Sequence, residues 1–154
     1  MGIHIIEREA FDVMGVQERV IPANADYGAI WERFMTYHDT IRASCADEGY
    51  YGVSFCADDR EGTVDYVAGM AVQGVTRAPE GLVLRRVPAH RYVEFRCTVR
   101  TIGPTWRYAY EEWLPASQFE SAHPSADFEY YPPGSESDDS PVMIYIPIRE
   151  RSAQ

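Results

Sequence analysis

The stretch Tyr27-Gly-Ala-Ile-Trp-Glu-Arg-Phe-Met-Thr-Tyr-His-Asp-Thr-Ile41 brings Tyr27, Ile30, Trp31, Phe34, His38 and Ile41 round at spacings of three and four. That spacing collects them on one face, so an amphipathic helix is predicted over roughly 26–43. Asn24 or Asp26 can cap its first turn, and Gly49 follows as a stop. Upstream, residues 3–20 favour strand, with Phe11, Val13 and Gly15 alternating against Asp12 and Met14. Downstream, residues 50–57 and 63–73 read as two strands of a hairpin around the turn Asp58-Asp-Arg-Glu-Gly62. The plan is strand, helix, strand, strand.

Beyond Pro79-Glu-Gly81 the same order returns. Residues 82–99 are strand-like, and Thr101 with Pro104-Thr105 opens a helix carrying Trp106, Ala109, Tyr110 and Trp113 on one face. Pro115 and the polar stretch through Pro124 end it. Residues 127–131 form a short strand, 132–140 an acidic loop, and 142–149 the closing strand. Trp31 and Trp106 lie 75 residues apart, Tyr51 and Phe128 77, and Val67 and Ile144 77. Two copies of that length suggest a duplicated module; a coincidental order of elements is the alternative. The expected fold is therefore α+β: one domain over 1–154, in halves of about 1–77 and 80–154. Each half would cover one sheet face with a helix. The opposite faces, related by a pseudo-twofold, would enclose a central ligand cleft.

The chain has 154 residues, 45% hydrophobic and 13% aromatic, which suffices for a packed core. Fourteen basic residues face 24 acidic ones, for a net charge of −10. Phosphate backbones and anionic lipids are bound by cationic side chains, so this balance argues against nucleic acid and membrane as partners. Cys45, Cys56 and Cys97 have no CxxC spacing, and the four histidines are scattered, so no metal or other cofactor is expected. The start has no apolar leader and no 18-residue apolar run occurs, which points to the cytoplasm. Nucleophile-elbow, Walker and zinc-protease motifs are absent as well.

Glu129 stands out. In Asp127-Phe-Glu-Tyr-Tyr131 side chains alternate, so Glu129 and Tyr131 share one strand face and Phe128 and Tyr130 the other. A carboxylate among aromatic rings is a receptor for a delocalised lipophilic cation. A solvated glutamate on an exposed face is the ordinary alternative. On the last strand Val142, Ile144, Ile146 and Ile148 form a face suited to lie under a helix. Tyr145 then faces the other way, toward the expected cleft beside Glu129. The 77-residue offset sets Tyr66 and Met70 on the same face as Tyr145. Trp106 can reach the mouth of the pocket from its helix, and Tyr110 shares that helix face, although aromatic stripes at this spacing more often form core.

These residues together resemble the GyrI-like small-molecule-binding domains, the effector-binding modules of AraC-type and multidrug-responsive regulators. The resemblance rests on Phe11-Asp-Val-Met-Gly15, Tyr50-Tyr-Gly-Val-Ser54, Tyr66-Val-Ala-Gly69, Trp106, Trp113-Leu-Pro115, Phe128-Glu-Tyr-Tyr131 and Ile144-Tyr-Ile-Pro147. It implies two such modules around a cleft, with Glu129 as the buried acidic anchor for cationic aromatic ligands and Tyr145 in a lesser version of that role. Many relatives carry a helix-turn-helix ahead of the module. Here the module begins within the first dozen residues, which speaks for a stand-alone binder of drugs or other xenobiotics. Two other functions come with the resemblance. One is a hydrolase of reactive cyclopropane-type compounds with Glu129 as base. The other is a protein–protein modulator of the gyrase-inhibitor type, for which the acidic Glu136-Ser-Asp-Asp139 offers a surface.

Overall fold

Two chain breaks decide the sheet. The computed structural model describes residues 2–58, 60–134 and 137–152. Where the sequence suggested one strand over 3–20, the chain breaks at Glu9-Ala10 into β1 (Gly2–Arg8) and β2 (Phe11–Val20). The run 82–99 breaks likewise into β5 (Val83–Val87) and β6 (His90–Thr98). Pro88 lies in that second break and has no N–H to give a ladder. The remaining strands are β3 (Tyr50–Asp58), β4 (Thr63–Val72), β7 (Phe119–Ser121), β8 (Asp127–Tyr131) and β9 (Pro141–Glu150). Of these, only β7 was not foreseen.

The first helix comes in two pieces, α1 (Tyr27–Met35) and α2 (His38–Arg42). Asp26 caps α1 by accepting from the Ala29 amide at 3.1 Å. In the second half α3 (Ile102–Tyr108) runs through a π-helical turn, Ala109–Trp113, into α4 (Leu114–Ala116).

The sheet runs β1-β6-β9-β8-β3-β4-β2-β5, with β7 added along β9, and its paired neighbours are antiparallel. Within it, β3-β4-β2 and β8-β9-β6 repeat one order, and the halves join where β3 pairs β8. The strand that opens each half is exchanged: β1 pairs β6 of the second half and β5 pairs β2 of the first. Between β3 and β8 the repeat is 77 residues. Between β4 and β9 it is 76, because Ala68 lies opposite Gly52 as Ile144 lies opposite Glu129. A slip of one residue inverts every side chain of a strand, so Tyr66 corresponds to Val142 and not to Met143.

The sheet buries both faces. Ile30 and Phe34 of α1 and Ile41 of α2 pack on Met14, Val16 and Met70; Ala109, which follows α3, packs with Val93, Phe95, Ile144 and Ile146. The other face carries no helix. There Val13, Tyr51, Val53, Val87, Tyr92, Phe128 and Tyr145 pack on one another, drawn from six strands. Such a face excludes water only by curling onto itself. No described helix is long and apolar enough to cross a membrane.

In the neighbouring strands β2 and β4, Gly15 and Gly69 lie directly opposite each other. A Cβ on Gly15 would stand 2.0 Å from the Ala68 carbonyl oxygen, and one on Gly69 2.2 Å from that of Met14. Gly15→Ala is expected to lower unfolding stability by about 2–4 kcal/mol in urea, since the obstructing atoms are backbone. A loss below about 0.5 kcal/mol would mean the strands can part.

Candidate functional site

The two helices present the same pattern to the space between them. Tyr27, Gly28 and Trp31 of α1 face Ile102, Gly103 and Trp106 of α3, each residue 75 positions from its counterpart. Residues at i, i+1 and i+4 share a helix side, so both helices turn an aromatic wall inward. The floor is β3, β4 and β8, through Gly52, Ser54, Tyr66, Glu129 and Tyr131. The cleft holds about 380 Å³, at the small end for ligand sites.

Glu129 sits at its centre. Its Oε1 accepts from the hydroxyls of Tyr131 at 2.7 Å and Tyr66 at 3.3 Å, and its Oε2 from the Trp106 indole N–H at 3.2 Å. Trp31 donates to the Tyr66 hydroxyl at 3.1 Å and steadies that donor. Burial raises the Glu129 carboxyl above the usual range, against the pull of Tyr131, Trp106 and Tyr66. Some of its surface stays open, because the carboxylate faces the cleft. Among the described residues no arginine lines the cleft, so three neutral donors hold the carboxylate there.

Directly across the strand pair from Glu129 stands Gly52. A Cβ there would lie 2.2 Å from the Tyr66 hydroxyl and 3.0 Å from Glu129 Oε1. The absent side chain is the space the carboxylate and its donor occupy.

Two residues further along β8, Asp127 shares the Glu129 face. It accepts from the Tyr110 hydroxyl at 2.5 Å, and burial pushes its carboxyl up to about 6. Tyr110 stacks on Trp106, with centroids 6.1 Å apart and planes at 15°.

Of the residues singled out from sequence, Glu129, Tyr131, Trp106 and Tyr66 meet in the cleft. Three do not line it. Tyr145 lies across from Phe128 on the helix-free face, where its hydroxyl donates to Glu94 at 2.7 Å. Met70 is fully buried beneath α1, and Tyr110 belongs to the neighbouring Asp127 recess. The reason for the Tyr145 correction is that the cleft opens between the helices, on the face they cover and not on its reverse. Tyr27, Trp31, Gly52 and Ser54 line the cleft and were missed as site residues. The 75-residue offset from Trp106 already pointed to Trp31. Of the acidic loop, Glu136 lies outside the described residues, and Asp139 is ion-paired with Arg100 at 3.3 Å. A larger groove of about 640 Å³ between β6 and α3 is lined by Arg96, Cys97, Thr98, Thr101, Pro104, Thr105 and Tyr108. Its described lining holds no carboxylate, so the smaller cleft with Glu129 is the candidate.

Residues 4–148 match the Cass2 family, described as integron-associated effector binding protein. The chain belongs to that family. Its fold is GyrI-like, as the resemblance implied. Among curated relatives, the transcriptional regulator BrlR of Pseudomonas aeruginosa is 34% identical over 153 residues. The match covers 96% of this chain and 56% of BrlR, so the chain spans little more than half that regulator's length. Two solved members of this fold superpose well. SAV2435 bound to tetraphenylphosphonium gives a TM-score of 0.76 at 12% identity, covering 97% of this chain and 94% of that one. The integron cassette protein of Vibrio cholerae gives 0.62 at 24% identity, covering 96% of each chain.

Two outcomes follow for the protein without ligand. Asp127 keeps its proton to a higher pH when folded than when unfolded. It therefore stabilises the fold below the unfolded value of 3.8, and this contribution fades as pH rises through about 6. The stability of Asp127→Asn relative to the parent should thus rise between pH 4 and pH 7, by on the order of 1 kcal/mol after solvent screening. Calorimetry at both pH values reads this, and a constant difference contradicts it. Gly52→Ala should cost about 1–3 kcal/mol in the same measurement by displacing Tyr66.

Proposed function

We propose that this effector-binding chain captures lipophilic aromatic cations in the cleft, with Glu129 as the electrostatic anchor. The observation that carries this reading is the desolvated carboxylate held by three neutral donors, with no arginine among the described residues of the cleft wall. A bound cation supplies a countercharge. Trp31, Trp106 and Tyr27 supply flat rings, whose negative faces attract a delocalised positive charge and exclude water from it. The tetraphenylphosphonium bound by the structural neighbour SAV2435 is a ligand of this chemical type. A charge without strongly directional donors suits such a site. The three hydrogen bonds already orient the carboxylate, so the ligand need not, and recognition depends on charge and apolar shape.

Tetraphenylphosphonium should raise the melting temperature in proportion to its binding. Glu129→Gln should weaken that binding about 10- to 100-fold, the scale of one charge-assisted contact in a dry site. The neutral triphenylphosphine oxide should bind parent and variant alike. Titration calorimetry separates the cases: equal affinity of parent and Gln variant for the cation removes Glu129 as anchor. The unliganded Gln variant should itself melt no lower than the parent at pH 7, because a desolvated charge has gone.

A further inference from the structure

The cleft does not end at Glu129. Beside it lies a recess of about 190 Å³ lined by Ser54, Tyr110, Ser121, His123 and Asp127 among others. Ser54 belongs to both cavities. On β8, Glu129 and Asp127 share a face two residues apart, so their backbones are separated by about 7 Å. Opposite them on β3 stand Gly52 and Ser54, in direct register with Glu129 and Asp127. The floor beside the two carboxylates therefore carries only small residues, Gly52 and Ser54.

The roof repeats the arrangement. Trp106 donates to Glu129 and Tyr110, stacked on it one helical turn later, donates to Asp127. Each carboxylate thus has its own aromatic donor, and among the described residues no arginine lines either cavity. Tyr110 is 40% exposed and lies at the rim of the recess. Its hydroxyl donates to Oδ2 of Asp127, and that carboxylate lines the recess.

We infer that the recess is a second cation subsite, and that the preferred ligands of the cleft are aromatic dications. One charge is delocalised over a ring held between Trp31 and Trp106. The other is an ammonium on a short tether that passes over Ser54 to Asp127. This rests on the reading of the cleft given above and narrows its ligand class. A second positive group also relieves the mutual repulsion of two desolvated carboxylates, which a monocation relieves only in part.

Ethidium and propidium test this directly, because they share one phenanthridinium ring and propidium adds a quaternary ammonium on a propyl tether. In titration calorimetry the parent protein should bind propidium about tenfold or more tightly than ethidium, the scale of one desolvated ion pair. Asp127→Asn should bring the two affinities within about threefold of each other. The exposed-charge control Glu80→Gln should keep the preference, which excludes a mere effect of net charge. Ser54→Leu adds bulk at the residue both cavities share without removing a carboxylate and should also abolish the preference, so the test does not depend on the Asn variant folding. Equal affinities in the parent, or a preference that survives Asp127→Asn and Ser54→Leu, would overturn the second subsite. If ethidium binding depends on Glu129 but propidium has no advantage, the subsite falls and the cleft reading stands. If ethidium binds regardless of Glu129→Gln, or neither dye binds, both fall.

Discussion

A carboxylate drawn out of water and surrounded by neutral donors is the constraint from which the rest of the cleft follows. Removing an ion from water costs several kcal/mol, and each hydrogen bond to the charged group returns about 1.5–3 kcal/mol. Three donors therefore make Glu129 tolerable without making it comfortable. They come from three different elements: Tyr131 from β8, Tyr66 from β4 and Trp106 from α3. The charge is held only while sheet and helix keep their relative positions. The apolar contacts under α3, with Phe95, Ile144 and Ile146 fully buried, are what keep them.

The near-twofold plan explains why a cleft exists, and its chemical asymmetry explains what the cleft can recognise. Trp31 answers Trp106, Gly28 answers Gly103, and β3 answers β8 across the shared edge. The symmetry fails at the axis itself. Glu129 is answered by Gly52, and Tyr131, two residues further, by Ser54. Two glutamates there would face each other across a single strand pair, where like charges repel strongly in low dielectric. With glycine opposite, one charge is retained and its donor Tyr66 gains room.

The reverse face of the same sheet shows the complementary arrangement. There the guanidinium of Arg8 lies 5.4 Å from the Phe11 ring centroid, 5.3 Å from that of Phe128 and 4.9 Å from that of Tyr145. An aromatic cage on the helix-free side is thus filled by the chain's own cation, delivered by β1 from the exchanged strand position. On the helix side the rings and the carboxylate are left open. The same ring chemistry serves cohesion on one face and, in the proposed reading, recognition on the other.

Local pattern was enough for the α+β class, for the strand–helix–strand–strand order and for the strand at Asp127–Tyr131, because period and punctuation are written in neighbouring residues. It was also enough to single out Glu129 and Tyr131, since a carboxylate in an aromatic strand is conspicuous. Tertiary structure decided which face of the sheet became the cleft. Alternation tells that Glu129 and Phe128 point apart, but not which of them meets a helix, because that depends on contacts far along the chain. Hence Tyr145 was placed beside Glu129 when it packs against Phe128, and a repeat read as 77 residues at β4 and β9 is 76. The exchange of β1 and β5 between halves, and the curl that buries a face without helices, likewise arise from pairings across distant segments, which no local period encodes.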